Sequence, residues 1–174
     1  MANTYELIAS YTATTAVSNI TFTSIPATYD DLLLKVSIKV NQNFGYPDNY
    51  QINFNGDFST SYTMVLNYAN GSTAATSFTS LAGMAYVYMP DTAATSLFSN
   101  TDFYIPSYRT TNNYKYASVD GNAPRNSTTN NLLHMTTGVW PQASAINSVG
   151  IQEYANGLQL TADSSAYLYG IKKS

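Results

Sequence analysis

The run Asp31-Leu-Leu-Leu-Lys-Val-Ser-Ile-Lys-Val40 constrains the fold more than any other stretch of the chain. Leu32, Leu34, Val36, Ile38 and Val40 fall on one side of it, and Leu33, Lys35, Ser37 and Lys39 on the other. A period of two marks a strand with one buried face, and it outweighs the helical preference of the leucines. Such a strand cannot stand alone, because its apolar row must be covered by neighbours and a second layer.

The rest of the sequence offers those neighbours. Short alternating runs recur about every 10 to 15 residues, roughly the spacing of sandwiches and barrels. They include Tyr5 to Ser10, Ile20 to Ser24, Tyr50 to Phe54, Tyr62 to Tyr68, Met84 to Met89, Leu97 to Ile105, Leu132 to Trp140, Ile146 to Ile151 and Ala166 to Ile171. Punctuation separates them. Asn55-Gly56, Asn70-Gly71, Asp120-Gly121 and Asn156-Gly157 read as hairpin turns, since these pairs tolerate positive φ. Pro26, Pro90, Pro106 and Pro141 end runs, because proline cannot donate to a ladder. Gln42 to Asn49, Gly71 to Ser80 and Ala123 to Asn131 read as polar loops, and Asp91 to Ser99 has room for one helical turn. No linker or repeat interrupts residues 1–174. The expectation is one all-β domain of about ten strands: a single antiparallel β-sandwich, jelly-roll-like, with barrel closure as the alternative.

Composition agrees. Charged residues are 10% of the 174, well below the usual quarter, and Ser, Thr and Asn make up about a third. Disorder is ruled out by 16 Tyr, 7 Phe and 1 Trp. A neutral polar surface suits a protein held in an assembly or one facing a neutral ligand such as a sugar. With seven Lys plus Arg and a formal charge of −3, no phosphate-neutralising surface is available, so nucleic acid is not an expected partner. No run is long and apolar enough for a bilayer, and the opening residues do not read as a secretion signal. The sequons at Asn19, Asn70 and Asn126 therefore carry no weight.

The chemical candidates are few. No cysteine is present, and His134 is the only imidazole, so a thiolate or multi-histidine zinc site is excluded. His134 lies in a predicted strand and reads as a structural or surface strand residue. Two glutamates, Glu6 and Glu153, and the adjacent Asp30 and Asp31 make a poor source for a glycosidase dyad. Neighbouring carboxylates on a strand face opposite ways. Asp48, Asn53, Asn55 and Asp57 have the oxygen-rich look of a calcium loop but lack its closing glutamate. No Gly-x-Ser-x-Gly elbow or glycine-rich phosphate loop occurs. The expectation is no enzyme, no catalytic residues, no cofactor and no metal. Flat aromatic faces could still stack on pyranose rings, and Tyr108, Tyr114, Tyr116 and Trp140 are the candidates for a glycan surface.

One long segment carries a resemblance. Ile20-Thr-Phe-Thr-Ser-Ile-Pro-Ala-Thr-Tyr-Asp-Asp-Leu-Leu-Leu-Lys-Val-Ser-Ile38 resembles the opening of a family of small tailed-phage virion proteins, notably from phages of aquatic bacteria. Ile52-Asn-Phe-Asn-Gly-Asp57, Ser61-Tyr62, Tyr68-Ala-Asn-Gly-Ser72 and Ala166-Tyr-Leu-Tyr-Gly-Ile-Lys172 extend it over nearly the whole chain. The resemblance implies a virion structural protein made in the host cytoplasm. Its members look like decoration (cement) proteins on the capsid exterior, bound to the major capsid protein as homotrimers, or like tail- or head-fibre domains that recognise a host glycan. It implies no catalytic residues.

Overall fold

A computed structural model describes residues 4–41, 49–59, 62–70, 74–88, 97–124, 131–153 and 157–172. Among these every regular element is a strand. In chain order they are β1 (Tyr5–Thr12), β2 (Asn19–Phe22), β3 (Asp31–Ile38), β4 (Asn49–Phe54), β5 (Tyr62–Ala69), β6 (Ala74–Leu81), β7 (Met84–Tyr88), β8 (Ser99–Ile105), β9 (Lys115–Ala123), β10 (Leu132–Trp140), β11 (Val149–Glu153) and β12 (Ser165–Ile171).

The strands form two antiparallel sheets. The large one has eight strands in the order β1-β12-β3-β8-β9-β10-β5-β6, and the small one four in the order β2-β11-β4-β7. Neither sheet closes on itself, so the architecture is a sandwich and not a barrel. From β2 onward the chain passes back and forth between the sheets. The small sheet takes β2, β4, β7 and β11; the large one takes β3, the β5–β6 pair, the β8–β9–β10 meander and β12. This is the connectivity of a jelly roll in which three strands stand where a simple roll has one.

The strand that opened the sequence reading behaves as expected. Leu32, Leu34, Val36 and Ile38 are buried, while Lys35 is exposed. Its inner row continues across the large sheet. Thr136, Val119, Phe103, Leu34 and Leu168 lie side by side on β10, β9, β8, β3 and β12. The small sheet answers with Phe22, Val149 and Phe54 in one row and Ile20, Ile151 and Ile52 in the next. Apart from the buried Thr136, both sets belong to one apolar cluster. Each such aliphatic or aromatic side chain contributes about 1.5–3 kcal/mol by leaving water.

Four expectations change. Ala74–Leu81 is a strand paired along its whole length with β5, where a polar loop is expected. Its Ala, Thr and Ser residues give no apolar alternation, because an edge strand has little core to fill. Asp120-Gly121 is no turn: Gly121 lies inside β9, paired with His134 and Thr101. A Cβ there would come within 2.2 Å of His134 Nε2, so glycine serves close approach and not a bend. Asn55 and Gly56 do take positive φ, 54° and 68°. They turn the chain from the small sheet to the large one instead of closing a hairpin. Leu158 to Leu160, which after Asn156-Gly157 reads as a further short strand, forms only isolated bridges, from Leu160 to Val17 and to Val40. Residues 42–48, 71–73, 91–96 and 125–130 lie outside the described residues, and with them most of the expected polar loops, Gly71 and the helical turn.

Candidate functional site

The four aromatic candidates separate into two pairs. Tyr108 is fully buried in the core, and its hydroxyl donates to the Pro26 carbonyl. Burial pushes its hydroxyl pKa up. Trp140 is buried at the end of β10. Its ring stacks on Tyr62 with centroids 6.2 Å apart and meets Phe54 edge-on at 5.7 Å. Its indole N–H donates to Asp57 Oδ2 at 2.6 Å. Neither ring has a face open to a sugar, so Tyr108 and Trp140 fall away as glycan candidates. Strand periodicity explains the error: β10 puts Leu132, His134, Thr136 and Trp140 inward, and the sequence alone does not say which face is inner.

Tyr114 and Tyr116 remain exposed, by 55% and 47%. With Pro106, Ser107, Thr110, Asn112 and Asn113 they line a shallow depression of about 580 Å³. Tyr104, near the end of β8, donates its hydroxyl to Asp31 Oδ2 at 2.6 Å. That hydrogen bond, with burial second, pushes its pKa up to about 12. Asp31 also accepts from the Ser107 amide at 2.8 Å, so this fully buried carboxylate anchors the 106–109 turn beneath the depression.

The oxygen-rich segment is occupied by the protein's own donors. Asn55 Oδ1 accepts from the Asn147 and Ser148 amides at 2.8 and 3.1 Å, and its Nδ2 donates to the Ala145 carbonyl at 2.8 Å. Asn53 donates to the Gly150 carbonyl at 3.3 Å. Asp57 takes the indole N–H and, at 2.8 Å, the Ser59 amide. Burial raises its pKa, but these hydrogen bonds outweigh burial and hold it below the ordinary carboxylate value. These side chains stitch the β4 turn to the approach to β11. Asp48 lies outside the described residues.

His134 sits on the inner face of β10, 2% exposed, in one row with Gly121 and Thr101. Burial lowers its pKa to about 4, so it is neutral at physiological pH. Lys115 is buried at the start of β9 and donates to the Asn113 and Ala143 carbonyls at 2.7 and 3.3 Å. Burial lowers its pKa too. It pins the loop that carries Tyr114.

One surface has no counterpart in the sequence reading. On the outer face of the large sheet, Leu133 and Met135 are 64% and 63% exposed; Val65 shares that face further along β5, opposite Thr137 and diagonal to Met135. Small residues flank them: with Asn67, Ala69, Ala74 and Thr76 they border a groove of about 500 Å³. Leucine and methionine that point away from a core are the signal that could have found it. Leu132-Leu133-His134-Met135 is apolar on both faces of its strand. Compared with known proteins, the chain matches no family model, no curated protein and no solved structure.

Proposed function

We propose that the protein is a non-enzymatic structural component of a tailed-phage virion that binds the outer surface of the capsid as a decoration protein. The resemblance of Ile20 to Ile38 and the motifs after it motivate this reading. The observation that carries it is the outer face of the large sheet around Leu133, Met135 and Val65. Exposed aliphatics on a sheet face, here on β10 and β5 near the β6 edge, with neutral polar neighbours, have the makeup of an interface core. Binding there would bridge neighbouring capsid subunits and raise the cost of separating them. The test is to add purified protein to capsids lacking it and follow shell melting. A ligand that binds only the assembled shell stabilises each site by about 2.7 kcal/mol at a hundredfold excess over Kd. Melting should rise and should resist added salt, because few charges are there to be screened. An unchanged melting curve at saturation contradicts the proposal.

A second reading rests on Tyr114 and Tyr116 beside Asn112 and Asn113: a fibre-type domain that holds a neutral host glycan in the shallow depression. It predicts binding to host surface polysaccharide that is lost in Tyr114→Ala and Tyr116→Ala, with no effect on capsid melting.

A further inference from the structure

The four sheet edges differ in how they are protected. An edge strand exposes a row of unpaired N–H and C=O groups, and proteins guard it by shortness, charge, proline or a bulge. Edge β2 has four residues and edge β7 has five. Edge β1 is bulged between Leu7 and Ala9, and its Glu6 is paired with Lys172. Edge β6 has none of these devices. It runs for eight residues, pairs with β5 in unbroken register from Ala74 to Leu81, and contains no proline and no charge. Among the described residues nothing pairs with its other side.

We infer that β6 is a self-association edge, and that two copies of this chain join antiparallel through it about a two-fold axis to make one continuous sheet. The occupant is a second copy for two reasons. An identical edge has matching length and pairs with itself antiparallel, leaving no free edge on that side. The segment from Phe58 to Pro90 carries no charged residue, so a two-fold brings no like charges together there. Most surfaces of a protein with net charge −3 would lack that property. A two-fold perpendicular to the sheet keeps both outer faces on one side, so the Leu133–Met135 patches of the two copies would face the same way. The pairing does not depend on what those patches bind. It is an alternative to the trimer that the resemblance implies.

Sedimentation velocity over a dilution series of the isolated full chain tests it. The expected result is a mass of two copies that falls to one on dilution. Ser77→Lys sets two lysines near each other across the axis and should weaken pairing about tenfold or more. Thr76→Lys should act likewise, while Ser10→Lys on β1 should not. Amide hydrogen exchange on the wild type is read in parallel. Protection of 74–81 should rise with protein concentration, and protection of 5–12 should not. A monomer at every concentration, a trimer, or loss of association in Ser10→Lys but not in a folded Ser77→Lys overturns the inference. Concentration-independent exchange at 74–81 overturns it as well, whether or not the variants fold.

Discussion

The two halves of the large sheet are built on opposite principles. In β12, β3 and β8 the inner rows are mainly hydrocarbon, with Leu32, Leu34, Val36, Phe103, Ala166 and Leu168, and with Ser99 and Thr101 buried toward one end of β8. On and around those strands, Lys35 meets Asp102, Arg109 meets Asp30 at 2.7 Å, and Lys172 meets Glu6 at 3.2 Å. In β9, β10 and β5 the inner face mixes Leu66, Met64 and Trp140 with buried His134 and Thr136, while β10 and β5 present Leu133, Met135 and Val65 to solvent. The buried hydroxyls of Thr101, where the halves meet, and Thr136 have no hydrogen-bond partner among the described residues. A hydroxyl left so costs free energy. The first half places its ion pairs outside a mainly aliphatic interior. The second buries an imidazole and a hydroxyl while Leu133 and Met135 stand in solvent, which suits a surface completed by another body.

The sharpest way to break this contrast is one substitution made in both halves. Val36→Asp puts an unpaired carboxylate into the hydrocarbon row and should cost on the order of 4 kcal/mol, seen as a large drop in Tm by circular dichroism. Leu133→Asp, on the outer face of the other half, should stay within about 0.5 kcal/mol of wild type. Equal effects would mean that the faces are assigned wrongly.

Acid should act on the second half through His134. Above its ordinary pKa of 6.5 both folded and unfolded chains hold it neutral, and it contributes no pH dependence. Below 6.5 the unfolded chain takes up a proton that the folded chain, with a pKa of about 4, refuses. Stability therefore falls by about 1.4 kcal/mol per pH unit across that window, approaching about 3 kcal/mol, and levels off below it. Urea melts of wild type and His134→Leu should differ in slope over this range; identical slopes would place His134 in water.

Gly121→Ala is expected to cost about 1–3 kcal/mol, since its Cβ would come within 2.2 Å of His134 Nε2 and 2.5 Å of Thr101 Oγ1. A double variant with His134→Ala should recover part of that loss. The smallest effect belongs to the ion pairs. Lys35 and Asp102 are each about half exposed, so Lys35→Met should change stability by less than about 1 kcal/mol.

Much of the first half was legible because it obeys one rule at every level. Leu32 to Ile38 alternates, and Leu32 and Leu34 go where alternation sends them. Leu132 to Trp140 was equally clear as a strand, yet its inner face was not, because Leu132 and Leu133 are the same residue on opposite sides. Trp140 and Tyr108 were misplaced for a related reason. An aromatic ring carries no mark of whether it fills a core or meets a ligand. β6 is hidden because an edge strand mostly of Ala, Thr and Ser, with Phe78 and Leu81 too far apart to set a period, reads as a loop until β5 is placed beside it. The Asp120-Gly121 pair misled because glycine answers two needs, positive φ and close approach, and here the second one applies.

The central claim is that the outer face around Leu133 and Met135 is completed by the capsid. Its most direct test compares wild type with the double variant Leu133→Asp and Met135→Asp on capsids stripped of the protein, after circular dichroism has shown that both fold. The account predicts that wild type raises shell melting and that the double variant neither binds nor protects. Equal protection by both, or none by either, would contradict it.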